Sequence, residues 1–179
     1  LIDYKIAQIF VMNYDWPGNN NKLFKSKSSD GKWKHIMYDS DFGFERWTDL
    51  ALGFIGSYQN YNMLDHAYGD GVVFNNPIWS TAIFTSFLDN MDFRTQFINT
   101  YYDRINTTFS TENTINLMDS LHSIIDPYIL DHINRYGPDI YDSYTPNTLE
   151  QYNSAYQLMQ NFASYRPGNA RNEMVQLFG

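Results

Sequence analysis

The sequence predicts a mainly α-helical chain with one β-hairpin near its N-terminus, an α+β domain. Three observations carry this. Apolar residues recur at helical spacing over 2–13 and again through most of 77–179. Two strand-like runs flank Ser28-Ser29-Asp30-Gly31, and Asp-Gly between such runs is a strong hairpin signal. The chain is 179 residues long, enough for a single domain with its own core.

Taken in order, Ile2, Ile6, Ile9 and Phe10, with Asn13 on the same face, place an amphipathic helix over 2–13. Asp15-Trp16-Pro17-Gly18 stops it, because Pro and Gly do not continue a helix. Lys22–Lys27 and Lys32–Tyr38 are the two strands; Trp33, His35 and Met37 alternate with Lys34, Ile36 and Tyr38, as in a half-buried strand. Residues 44–78 are rich in Gly, Asn, Asp and Tyr and read as irregular, with one short helix near 60–68. Pro77 suits the first turn of a helix whose face is Ile78, Ala82, Ile83, Phe87 and Leu88. Asp92 is expected to N-cap a helix over 93–107. Ser110 opens another, carried by Ile115, Met118, Leu121, Ile125, Ile129 and Ile133 to about Tyr136, with a kink at Pro127 and an end at Gly137-Pro138. Asn147-Thr148-Leu149-Glu150 is close to a capping box for a helix to about Tyr165. Arg166-Pro167-Gly168 should break the chain before a last short helix. The chain therefore divides, within one domain spanning 1–179, into 1–47, an irregular 48–76 and a helical 77–179.

Composition excludes several functions. Twelve Lys and Arg against twenty acids give a net charge of −8, the wrong sign for a nucleic-acid binder, which needs a basic face. Five lysines (Lys22, Lys25, Lys27, Lys32, Lys34) do cluster on the hairpin; they either solvate it or face phosphates or an acidic substrate. The chain has no Cys, hence no disulfides and no thiolate chemistry. No apolar run is long enough to span a membrane. The four His show no zinc-ligand spacing. Aromatic residues make up 18% of the chain, 15 of them Tyr. They fit a Tyr-rich core and surface better than sugar-stacking platforms, because Trp shows no regular exposed spacing.

Chemistry concentrates early. Asn13-Tyr14-Asp15-Trp16-Pro17-Gly18-Asn19-Asn20 is followed by Tyr38-Asp39-Ser40-Asp41-Phe42-Gly43. An Asp with an Asn five residues later, then Asp-Phe-Gly, is the order of polar groups in a kinase-type phosphoryl-transfer site. The hairpin goes out and returns, so both acidic clusters should lie at its same end. Asp39 and Asp41 are two apart, and in an extended chain their carboxylates would point to one side. Such a pair repels unless a cation neutralises it. Magnesium with phosphate oxygens is the natural partner; a calcium site has no loop signature here. Asp15 either orients a hydroxyl or is a turn residue ending a helix. Asn20 is the matching ligand, although Asn19 and Asn21 flank it and either could take its place.

These residues, with Ile2-Asp3-Tyr4 before them, Trp33-Lys34 between them and Phe44 after, resemble the CotH family of spore-coat-type atypical kinases. Arg166-Pro167-Gly168-Asn169-Ala170-Arg171 and Phe178-Gly179 are similar to that domain's closing helix. The likeness is most specific over 1–47 and weaker over 160–179; 48–159 fits by length and helical character. It implies the helical C-terminal lobe of a kinase-like fold, with 1–47 as its catalytic and metal segment. It further implies ATP-dependent phosphorylation of protein Ser or Thr, with Asp15 catalytic, Asn20 contacting the nucleotide-bound metal, and Asn20, Asp39 and Asp41 as metal ligands. Mg2+ and ATP would be cofactors of the intact parent, and an extracellular, cell-surface or spore-coat location would follow.

The family's phosphate-gripping Lys and covering loop lie upstream of this stretch, and the chain opens at Leu1 inside a helix. A piece of a longer protein is therefore expected, folded but inactive alone, binding neither cofactor firmly. An apolar patch near the hairpin, exposed without the N-terminal lobe, is expected too. The alternative is a non-catalytic coat or cell-surface interaction module that retains the scaffold and uses 44–76 as its surface.

Overall fold

The structure is a computed structural model that describes residues 1–44, 61–69, 76–137 and 146–179. Among these, six helices and one antiparallel hairpin follow in the order α1 (Ile2–Phe10), β1 (Lys22–Lys25), β2 (Trp33–Ile36), α2 (Met63–Tyr68), α3 (Ile78–Leu88), α4 (Met91–Asn106), α5 (Thr111–Tyr136) and α6 (Leu149–Phe178). The mainly α fold with an N-terminal hairpin is as the sequence predicts. So are the short helix in the irregular stretch and four helices after residue 76. Most of that stretch, 45–60 and 70–75, lies outside the described residues, as does Pro138. None of the helices described is long and apolar enough to cross a membrane.

The core gathers around α1. Ile6, Ile9 and Phe10 pack with Met63 and Leu64 of α2, Phe84 of α3, Phe97, Tyr101 and Ile105 of α4, and Phe162 and Met174 of α6. Rings meet edge-on, as with Phe84 on Phe97 at 5.2 Å between centroids, an arrangement favoured by the ring quadrupole. α1 ends at Phe10, three residues before the predicted Asn13. Met12 takes a left-handed φ of 55° that turns the chain out of the helix.

α6 is the main departure from expectation. It runs unbroken through Pro167-Gly168 to Phe178. Pro167 has no N–H for the carbonyl of Ala163, four residues back. Thr111 Oγ1, on the first turn of α5, donates to that carbonyl at 3.1 Å instead. The same turn is clamped by a side-chain pair two helical turns apart. Arg166 and Glu173 are joined by Nη1–Oε1 and Nη2–Oε2 hydrogen bonds, the latter 3.1 Å. Arg166 also donates from Nε to the Phe10 carbonyl and from Nη2 to the Ile9 carbonyl, both at 2.9 Å. It thus satisfies orphan carbonyls at the end of α1. Glu173 Oε2 accepts from Leu64 N at 3.2 Å, doing the same for the start of α2.

Four further expectations are corrected. The N-cap of α4 is Asn90, whose Oδ1 accepts from Phe93 N at 3.0 Å; Asp92 sits in the first turn, where its charge suits the helix dipole. The predicted face of α3 points outward, apart from Leu88: Ile78 and Ile83 are 66% and 67% exposed. Ser80, Thr81, Phe84 and Leu88 are buried instead. Ser80 and Thr81 go inside cheaply because their hydroxyls donate to the Pro77 and Ile78 carbonyls. On α5, Met118 and Ile133 are buried, whereas Leu121 and Ile125 are exposed. The hairpin is likewise more open than its alternation suggests. Leu23, Phe24, Trp33, Ile36 and Met37 are all exposed, divided between the two faces of the hairpin by its register, and His35 stacks on Tyr4 at 4.3 Å.

Candidate functional site

The hairpin register, Lys22 opposite Ile36 through Lys25 opposite Trp33, returns the chain to where it left. The Asp15–Asn20 loop and the Asp39–Gly43 turn therefore meet at the hairpin's open end. The two segments are stitched by backbone hydrogen bonds, Phe44 N to the Val11 carbonyl at 2.9 Å and Tyr14 N to the Phe42 carbonyl at 3.4 Å. Gly43 is required by this approach, because a Cβ there would lie 2.7 Å from the Val11 oxygen.

Side chains complete the join. Asn19 Nδ2 donates to Asp15 Oδ1 at 2.8 Å and Asn20 Nδ2 to Asp15 Oδ2 at 3.0 Å. Asn20 Nδ2 also donates to the Asp39 carbonyl at 3.1 Å. Asn20, rather than Asn19, thus reaches both halves. With both N–H groups so used, its Oδ1 is the atom left to face a ligand. Asp39 and Asp41 interact through their carboxyl groups. That hydrogen bond first, then partial desolvation and the charges of Asp41 and Asp15, raise the Asp39 pKa above its ordinary value, with Lys22 opposing. The four sequence-predicted residues are therefore brought together, Asp15 half-buried and Asp39 and Asp41 exposed.

Backbone strain concentrates at the same place. The non-glycine residues with left-handed φ among those described are Met12, Asn20, Asp39 and Phe44, at 54–55°. All lie in or beside the two motifs. Asn and Asp tolerate this region; for Met and Phe it costs about 1–3 kcal/mol, offset by burying Met12 and seating Phe44 on Phe162 at 5.0 Å. Asp39 is thus not in the extended conformation expected from its spacing, yet it still meets Asp41.

Behind the loop lies a wall the sequence did not reveal. Trp16 is fully buried and its carbonyl accepts from His66 Nε2 at 2.8 Å, while Tyr61 OH donates to His66 Nδ1 at 2.5 Å. Burial pushes His66 down to about 4, the Trp16 hydrogen bond acting the other way. Lys5 lays its ammonium 4.5 Å from the Trp16 ring centroid, and burial lowers it to about 8. His66 was readable only as one of four scattered His. Asn13 carried a fainter signal, a polar residue at an apolar-face position.

The donors fit a hard cation. Two adjacent carboxylates, one with its pKa raised by the other, and a carboxamide oxygen are what magnesium takes alongside phosphate oxygens. Among the described residues, no group of three or more His, Cys, Asp or Glu is placed to hold a metal ion.

A family model described as CotH kinase protein matches residues 1–169. The chain belongs to that family. No curated protein and no solved structure was found to match it.

Proposed function

We propose that this chain is the C-terminal lobe of a CotH-like atypical kinase, the half of the site that places the acceptor hydroxyl and the metal. In the intact parent it would transfer phosphoryl groups from ATP to Ser or Thr of a protein. The observation that carries this is the Asn20 amide, which bonds the Asp15 carboxylate and the Asp39 carbonyl and so ties the two motifs into one site.

Asp15 is the hydroxyl-orienting residue. Its two oxygens are fixed by Asn19 and Asn20, and a carboxylate has about four lone-pair sites, so acceptor capacity remains for a Ser or Thr hydroxyl. Asn20 Oδ1, Asp39 and Asp41 would hold magnesium. When bound, the metal supplies charge neutralisation on the triphosphate. The chain's own contribution is positioning and a preset electrostatic field. The phosphate-gripping residues belong, on this view, to the intact parent.

The test is Asp15→Ala and Asp41→Ala in the full-length parent. Each is expected to abolish ATP-dependent Ser/Thr phosphorylation; near-normal activity in either overturns the roles. A second reading, a non-catalytic interaction module, draws on the outward apolar face of α3. Magnesium with ATP separates the two. At 100 times its Kd a ligand adds about 2.7 kcal/mol of stability, and no thermal shift at saturation would favour the module.

A further inference from the structure

We infer that Asn13 is a positioning residue that fixes the spacing between the two halves of the site through the Asp39 carbonyl. Its functional consequence rests on the metal site proposed above. Asn13 is wholly buried. Its Nδ2 donates to Gln8 Oε1 at 3.0 Å and to the Asp39 carbonyl at 3.4 Å. Gln8 in turn donates from Nε2 to Tyr4 OH at 3.3 Å, so a row of polar side chains runs along α1 and ends on Asp39. Its backbone is held as well, Asn13 N bonding the Gln8 carbonyl at 3.2 Å.

Two features separate this from ordinary packing. First, Asn13 Oδ1 is buried without a hydrogen-bond partner. An unmet buried acceptor is costly, and an apolar side chain of similar size would avoid that cost. What only the amide supplies is its donor end, and that end reaches Asp39. Second, Asn13 and Asn20 bracket Asp15 in the chain and converge on one carbonyl oxygen. The loop bearing Asp15 is therefore closed at both ends on the residue whose carboxylate meets Asp41. A shift of that carbonyl moves the Asp39–Asp41 pair relative to Asp15.

The test uses Mn2+ alone as the probe, followed by water-proton relaxation, on the 179-residue chain. Outer-shell partners of ligands are worth about 10–100-fold in metal affinity. Asn13→Ala is expected to weaken Mn2+ binding at least about ten-fold. Thr111→Ala, which loosens α6 away from the site, should lower Tm and leave Mn2+ affinity unchanged. Asn13→Ser serves if Asn13→Ala does not fold. Affinity within two-fold of wild type overturns the inference. So does an equal loss in Thr111→Ala, which would mark a general stability effect. Absent Mn2+ binding by the wild-type chain alone is what a lobe without triphosphate oxygens should show, and it leaves the metal site to the full-length variants above. The inference is then decided without metal by the Tm cycle of Asn13→Ala, Asn20→Ala and the double variant. Two amides on one carbonyl must be non-additive, and additive losses overturn it.

Discussion

Two polar clusters meet at the C-terminal end of α1, and they are built on opposite plans. On one side, Arg166 and Glu173 are buried, charge-balanced and bonded at nearly every donor and acceptor to each other, to the α1 carbonyls and to α2. Burial alone would lower the guanidinium's pKa; the Glu173 carboxylate reverses this and holds it above its ordinary value. On the other side, Asp15, Asp39 and Asp41 are half-buried or exposed, and among the described residues Lys22 is the basic group that opposes the rise of the Asp39 pKa. The first cluster is closed and holds helices together. The second lies in strained backbone at the surface, where a ligand can reach it. A perturbed carboxylate such as Asp39 in such a setting marks a site better than a fold.

The sharpest way to break the contrast is Glu173→Ala. It leaves a buried guanidinium unpaired and should remove about 3–5 kcal/mol in a urea titration. A loss no larger than that of a surface variant would mean that the closed cluster is not structural.

His66 tests the wall between the clusters by pH. Its folded pKa, about 4, lies below the ordinary 6.5, so the unfolded chain binds the proton more tightly. Stability is therefore full above pH 6.5 and is lost as pH falls toward 4, by about 3 kcal/mol. His66→Gln should flatten that part of the profile; an unchanged slope in the variant would assign the acid loss elsewhere.

Gly43→Ala should cost roughly 1–3 kcal/mol by forcing a Cβ against the Val11 oxygen. Chemical shifts should move at both 11–14 and 39–44, because the two segments are stitched there. Shifts confined to the turn would separate the halves.

Thr111→Val keeps the shape and removes the donor to Ala163. It should cost about 1–2 kcal/mol by leaving that carbonyl unmet, read by calorimetry. No change would mean that Pro167 is accommodated without Thr111.

The smallest effect is expected at Asp39. Its pKa is raised by folding, so carboxylate repulsion weakens the folded state above that pKa and is relieved as pH falls through it. Asp39→Asn should hold or slightly raise stability at neutral pH, opposite in sign to Glu173→Ala. A clear loss would place Asp39 with the structural cluster.

What the sequence determined by itself was local. Helical periodicity placed α1, α4, α5 and the start of α6. Asp30-Gly31 placed the hairpin, and with it the meeting of Asp15, Asn20, Asp39 and Asp41 at one end. Those signals sit within a few residues of what they specify, so they can be read along the chain. The tertiary structure decided what depends on distant neighbours. Pro167 reads as a breaker until Thr111, 52 residues from Ala163, supplies the missing donor. Arg166 reads as part of a chain break until the Phe10 carbonyl, 156 residues away, receives it. α3 is apolar on nearly every side, so its sequence could not say which face turns inward. Phe84 does so because Phe97 of α4 is there to meet it. Asn13 likewise looked like the tail of an apolar stripe, and only the return of Asp39 gave its amide something to hold. Periodicity encodes which residues share a face; burial is settled by whatever packs against that face, and that partner lies elsewhere in the sequence.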